Sequence, residues 1–352
     1  MENYSNLSER EKEILRCIIQ QFILTAAPVG SRNISKRYDI GLSPASIRNI
    51  MADLEEQGFI NHPHTSAGRV PTDKGYRFYV DTLTEFKRIE EHEKNKINKE
   101  FSLAEKETDE LLTIASKLLS SITNNVACVL YPNLDSGVLD RIQIVQLSSE
   151  KLLVVITINA SLIRTITLEI KMDVKERHIH GIQNLLNERL GGLKLNEIRS
   201  SFKDRFRDIS ADEVPLITLF VDSADKIFTD VKVNDKVHIA GTGSILKQPE
   251  FESPDRFQSI IELIENKDIV VHIFENKHYN ITKGEVLVSI GSENEDLKLE
   301  EYSLVKKEYT VEDIHGTLGI IGPKRMEYEK VMAIVDYVST ILSSYLKRNK
   351  GI

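Results

Sequence analysis

Apolar positions recur at helical spacing over the first eighty residues, run as strands through the middle of the chain, and return to helical spacing at its end. Ile14, Leu15, Ile18, Ile19, Phe22 and Ile23 share one face of a helix that Ser8 and Glu11 open as a Ser-x-x-Glu capping box and that "TAAPVG" stops. A short second helix, about Ser31 to Tyr38, buries Ile34. In the third helix Ser43 is a good N-cap and Pro44 takes the first position, where its missing N–H is harmless. Ile47, Ile50, Met51 and Leu54 form its apolar stripe, and Gly58 sits at its C-terminal stop. "FINHPH" and "RVPT" are two short extended pieces around "TSAGR", whose Gly68 suits a hairpin tip. Thr72 caps a closing helix with Tyr76, Tyr79, Val80 and Leu83.

From Ile89 to Lys106 the chain is densely charged and shows no apolar stripe until Leu111, Leu112, Ile114, Leu118 and Leu119, so it reads as a solvated linker merging into a helix. "NVACVLY", "RIQIVQL", "KLLVVITI" and "LIRTITLEI" read as strands. Helical spacing takes over from about Val174 to Phe228, with Ile179, Ile182, Leu185, Leu186 and Leu190 on one stripe. Strands resume at "DIVVHIF", "GEVLVSI", "YSLVKKEYTV" and "TLGIIG", and a final helix runs from Tyr328 to Lys347. The economical reading is an α+β chain of several domains, with an αβ domain interrupted by a helical insertion.

Three helices followed by a hairpin is the winged helix-turn-helix plan, in which the third helix enters the DNA major groove and the hairpin lies beside it. The stripe would hold that helix on its core, leaving Ser43, Ala45, Ser46, Arg48 and Asn49 to project from its N-terminal half. Arg can pair bidentately with guanine and Asn with adenine, while Ser and a helix N-terminus suit phosphates. In the hairpin, Arg69 follows Gly68 and could reach a minor groove or a phosphate, and His64 and Ser66 complete the candidate DNA-binding set. The competing reading is that these are solvated polar positions, or that the winged helix binds a protein.

Charge modifies the picture only locally. The 352 residues carry a net charge of −8, yet residues 1–90 balance at twelve basic and twelve acidic side chains, so the whole negative excess lies beyond them. A locally basic face on an acidic protein is therefore allowed. No run approaches a membrane span, the N-terminus is no signal peptide, and Cys17 and Cys128 form neither a disulfide framework nor a zinc signature. A cytoplasmic protein with no membrane partner is expected. Catalytic constellations are missing too. "GTGSILK" lacks the Gly-Lys-Ser/Thr ending of a P-loop, His178 and His180 fall on different sides of a helix, and "GSENEDLKLEE" lacks calcium-loop spacing. No enzymatic role, metal or cofactor is expected.

"PVGSRNIS", "SPASIRNIMADLEEQGFI", "HPHTSAGRVPTDKGYRFYVD", "GTGSILKQPEF", "VSIGSEN" and "GTLGIIGPKRMEYEKVMAIVDYVS" occur in this order and together resemble the HrcA family of heat-inducible transcription repressors. "SPASIRN" stands where such repressors usually carry a Ser-Ser-Ala-Thr-Ile-Arg-Asn type of sequence, a departure at Pro44 and Ser46 that leaves Arg48 and Asn49 in place. The stretch from about Lys171 to Val237 carries no family motif. The resemblance implies a winged helix at 1–88, a GAF-like domain in two parts at 89–170 and 251–352, and a dimerising domain inserted at 171–250. It further implies a homodimer that represses class I heat-shock operons by binding an inverted-repeat operator in double-stranded DNA, CIRCE, and that depends on the chaperonin GroE to stay active. A ligand-gated regulator, with a small molecule in the GAF-like domain, is the alternative within regulation.

Overall fold

The computed structural model describes residues 4–63, 68–83, 88–104, 107–159, 162–170, 174–209, 216–228, 236–245, 248–276, 284–294, 296–312 and 314–348. Helix α1 (Glu9–Thr25) begins at the expected box, with Ser8 N donating to Glu11 Oε2 at 2.7 Å and Glu11 N to Ser8 Oγ at 3.3 Å, and ends where Ala26 turns left-handed. Helices α2 (Ser31–Arg37) and α3 (Pro44–Glu56) follow. Strand β1 (Ile60–Asn61) pairs antiparallel with β2 (Val70–Pro71), and α4 (Asp73–Asp81) closes this N-terminal unit. Ile14, Ile18, Ile34, Ile47, Leu54 and Phe78 are fully buried inside it.

Helix α5 (Glu91–Leu103) corrects the expectation of a solvated linker. Ile97 and Phe101, one turn apart, are buried, and the Phe101 ring lies 5.5 Å from that of Tyr345 in the last helix. Two apolar residues at i and i+4 suffice to seat a helix when its neighbours supply the other wall, and so short a stripe is masked by the surrounding charge. Next come α6 (Thr108–Thr123), β3 (Val126–Leu130), β4 (Leu139–Ser148), β5 (Lys151–Ile158) and β6 (Leu162–Glu169). Helices α7 (Glu176–Leu190), α8 (Leu195–Arg205), α9 (Ile217–Asp222) and α10 (Ala224–Phe228) precede β7 (Val237–Ala240) and the short α11 (Thr242–Ile245). The chain closes with α12 (Pro254–Glu265), α13 (Lys267–Glu275), β8 (Leu287–Ile290), β9 (Tyr302–Val311), β10 (Ile314–Pro323) and α14 (Tyr328–Arg348).

Five strands form an antiparallel sheet in the order β7-β3-β10-β9-β8. Helices α6 and α14 cover one face, with α5 against them, while α12 and α13 cover the other. "DIVVHIF", expected as a strand, is α13: Asn266 caps it by accepting from Ile269 N at 3.3 Å, and Val270, Val271, Ile273 and Phe274 are buried. An unbroken apolar run reports burial, and periodicity alone cannot tell a buried helix from a buried strand.

The strand pairing also moves the expected boundaries. Strands β4, β5 and β6 lie within 89–170 yet make a separate three-stranded sheet, while β7, within 171–250, pairs with β3. The interruption of the five-stranded sheet therefore runs from the end of β3 to the start of β7 and contains a sheet as well as helices. Helix α7 lies along β4 and closes its edge. Asn187 Oδ1 accepts from Ile142 N and its Nδ2 donates to Ile142 O, both at 2.8 Å, and Gln183 Oε1 accepts from Ile144 N at 2.9 Å. Covering an edge in this way removes a template for unwanted strand pairing. The stripe Ile179, Ile182, Leu186 and Leu190 is buried within this unit, so it is not free to bind another subunit. On the other face of the small sheet, Val145 and Ile163 stay exposed at 49% and 60%.

Lys306 is fully buried in the body: its Nζ donates to Ile273 O at 3.1 Å and Asn276 O at 3.2 Å, holding the C-terminal end of α13. Burial pushes its ammonium down to about 8 from 10.5. Above that value the unfolded chain keeps a proton that the folded chain has lost, so stability should rise with pH in the window between the two values. Relative to Lys306→Met, the protein should gain about 2 kcal/mol between roughly pH 8 and pH 10, measured by urea unfolding. A pH-independent difference would place the ammonium outside a desolvated site.

Candidate nucleic-acid interface

Helix α3 is positioned by one face and capped at one end. Ile47 and Leu54 are fully buried, Met51 nearly so, and Ser43 Oγ accepts from Ser46 N at 3.1 Å. The Ser43 and Ser46 hydroxyls also bond each other at 3.0 Å, which turns both toward the helix N-terminus. Ser43, Ala45, Arg48 and Asn49 are exposed, Ser46 is half-buried, and together they line the first two turns. The positive end of the helix dipole lies at the same end, an arrangement suited to anionic oxygen.

The hairpin residues are placed differently from expectation. Gly68 does not form a tip: a β-carbon there would lie 2.6 Å from the Val29 carbonyl carbon, so glycine is required by close backbone approach. Arg69 exchanges both backbone hydrogen bonds with Val29, at 2.8 and 2.9 Å, and its guanidinium pairs with Glu55 Oε2 of α3 at 2.7 Å. His62 meets the other Glu55 oxygen. Arg69 thus ties the hairpin base to α3 and to the α1–α2 connection instead of reaching freely outward. His64 and Ser66 lie outside the described residues. Arg32, Asn33 and Lys36, outside the candidate set read from the sequence, are exposed on α2. Arg32 and Lys36 form an i, i+4 basic pair flanking the buried Ile34, the kind of pair that the first helix of a helix-turn-helix turns to the phosphate backbone.

Residues 109–332 match the family model described as the HrcA protein C terminal domain. A relative in Chlorobium phaeobacteroides (strain BS1), named "Heat-inducible transcription repressor HrcA", is 41% identical over 350 residues, covering 97% of this chain and 99% of the relative. The chain belongs to the HrcA family. Another relative of that name, in Chlorobaculum parvum (strain DSM 263 / NCIMB 8327), is 42% identical over 354 residues, covering 98% of this chain and 99% of its own. A crystal structure described only as a hypothetical protein shares the fold, with a TM-score of 0.66, 23% identity and coverage of 97% of this chain and 99% of its own. The HrcA relatives are named as repressors, a regulatory role without catalysis. Among the described residues no helix is long and apolar enough to cross a membrane, and no group of three His, Cys, Asp or Glu side chains could hold a metal ion.

Proposed function

We propose that the protein is a transcriptional repressor that binds an inverted-repeat operator of the CIRCE type, ahead of class I heat-shock operons, as a homodimer. The observation that carries this reading is α3, fixed by Ile47, Met51 and Leu54 while Ser43, Ala45, Arg48 and Asn49 face outward. In this reading residues up to about Leu83 form a winged helix, with Arg48 and Asn49 on base edges and Ser43, Arg32 and Lys36 on phosphates. The five-stranded sheet and its helices are the GAF-like domain, and the unit between β3 and β7 is the inserted dimerising domain. An inverted repeat needs two recognition helices related by a two-fold axis, and the exposed face of the β4–β6 sheet, where Val145 and Ile163 stand among polar side chains, is the surface assigned to it.

Footprinting on chaperone-operon promoter DNA tests the reading directly. Arg48→Ala should cost about 1–3 kcal/mol of operator affinity and relax preference at one base position. An equal loss on operator and random DNA would make Arg48 a phosphate contact, and no loss on either would remove α3 from the groove. Release on heating is assigned to the chaperonin GroE. Splitting the five-stranded sheet around an insertion forces pairing across long sequence separations, which slows folding and exposes apolar strands. Recovery of operator binding after dilution from denaturant, with and without chaperonin and ATP, tests that dependence, and equal recovery would reject it.

A second reading has one observation in its favour. A cleft of about 420 Å³ lies where the inserted unit meets the body, lined by Tyr131, Asn133, Asp135, Asn196, Glu308 and His315. A polar small molecule held there would make this a ligand-gated regulator, and a ligand binding only the folded state would raise its melting temperature in a metabolite screen.

A further inference from the structure

"TDKGYRFYVD", "VSIGSEN", "GTGSILKQPEF" and "GIIGPKRMEY" lie far apart in the chain, yet residues from all four meet where α4 and the end of α1 rest on the sheet body. Arg77 of α4 donates through Nε to Glu293 Oε1 at 2.7 Å, through a second nitrogen to the other Glu293 oxygen, and to Val288 O at 2.7 Å. Asp73, at the start of α4, accepts from Ser292 N at 3.0 Å and pairs with Lys324 Nζ at 2.9 Å. Arg325 donates to Ile23 O at 2.6 Å and pairs with Glu250, and Tyr79 OH donates to Glu329 at 3.1 Å. These side chains are largely shielded; the Arg77 and Arg325 side chains are 21% and 15% exposed. Burial opposes the charge on Arg77, and Glu293 and Asp81 outweigh it.

Beside this line of bonds the two parts stand apart. A cleft of about 390 Å³ opens between Phe22, Pro71 and Tyr76 on one side and Phe251, Tyr302 and Pro323 on the other. The N-terminal unit is therefore joined to the body along one side by directional, charge-assisted bonds and by apolar packing of Tyr76 near Tyr328, their ring centroids 6.1 Å apart, with open space next to them. Bidentate ion pairs specify an angle in a way that apolar contact does not. The neighbouring cleft gives the joint room to take another angle.

We propose that this ion-pair joint is a positioning latch that fixes the angle of α3 against the body, and with it the separation of the two recognition helices in the dimer. The inference rests on the operator-binding reading above and deepens it. Arg77 and Glu293 act as positioning residues, since neither lies on the exposed face of α3. Non-specific binding needs only one basic surface and any phosphate backbone, whereas an inverted repeat needs two helices at a set spacing. Loosening the latch should therefore weaken operator binding and spare binding to random sequence.

The test uses the full-length protein, with anisotropy titrations on an inverted-repeat duplex and on a shuffled duplex. Arg77→Met should lower operator affinity about tenfold or more and change shuffled-duplex affinity by less than about twofold. Adding Glu293→Gln should cost little further, because both substitutions remove the same interaction. With labelled chains diluted into excess unlabelled chains, so that a dimer carries at most one labelled subunit, spin labels on Glu56→Cys and Glu265→Cys, both exposed sites, should give one narrow distance distribution in the parent and a broad one with Arg77→Met. Operator affinity within about twofold of the parent, an equal loss on both duplexes, or an unchanged narrow distribution would each overturn the latch. A parent that fails to distinguish the duplexes would overturn the operator reading instead, and the label distances then decide the latch alone.

Discussion

On the proposed homodimer, Ile163→Asp should convert dimer to monomer at micromolar concentration and lower operator affinity about a hundredfold or more, because the second half-site would no longer be reached intramolecularly. Ile163 is 60% exposed on β6, beside Thr157 of β5, and in the neighbouring rows of the same face Val155 and Leu153 lead to Val145 on β4. A charge placed on such a face would be buried without a partner in the dimer, while in the monomer it would remain solvated. Fold stability should therefore fall by no more than about 1 kcal/mol, the span of strand propensity at an exposed site. Leu103→Asp is the control, since Leu103 is a comparably exposed apolar residue on α5 and lies outside the sheet face. Sedimentation equilibrium separates the outcomes: a dimer that survives Ile163→Asp moves the interface elsewhere, and a dimer lost equally to Leu103→Asp makes the effect non-specific.

Gly75→Ala should destabilise the N-terminal unit by about 3 kcal/mol or more and abolish operator binding while the body stays folded. The sign is the informative part. Gly75 lies in the first turn of α4, where alanine would ordinarily favour a helix by up to about 1 kcal/mol. Here a β-carbon would sit 2.3 Å from the Phe59 carbonyl oxygen. That oxygen already accepts from Thr72 N at 3.1 Å and from Thr72 Oγ1 at 3.0 Å, so the strand end and the helix cap are locked together around it. Relief requires α4 to move off β1, which also displaces Arg77 and Asp73 from the body. Hydrogen exchange should show faster opening of α1 to α4 and unchanged protection in β9 and β10. Increased stability would mean that α4 can shift without strain.

The contrast between Gly75 and Ser43 shows how far pattern carries. Ser43, Pro44 and the Ile47–Leu54 stripe follow one another in steps of no more than four residues, so cap, start and buried face of α3 are legible without any tertiary contact. The same holds for the Ser8–Glu11 box, for Thr72 and for β5 and β9, whose ends fall where "KLLVVITI" and "YSLVKKEYTV" end. Family motifs added the repressor reading, which spacing could not supply.

Everything decided by which surfaces meet escaped that reading. "DIVVHIF" became a helix because two faces of a sheet need covering, and β4 to β6 left the main sheet because their partners are one another. The guanidinium of Arg69 turned to Glu55, seen only once α3 and the hairpin are packed together. Asp73, Arg77, Glu293, Lys324 and Arg325 read as ordinary charges along the chain, and they became the joint of two units because folding brings residues over two hundred positions apart within hydrogen-bonding distance. Local chemistry acts over one or two turns and is written in neighbouring residues; pairing, docking angle and exposed interface depend on the sum of contacts between distant segments, which no single segment encodes.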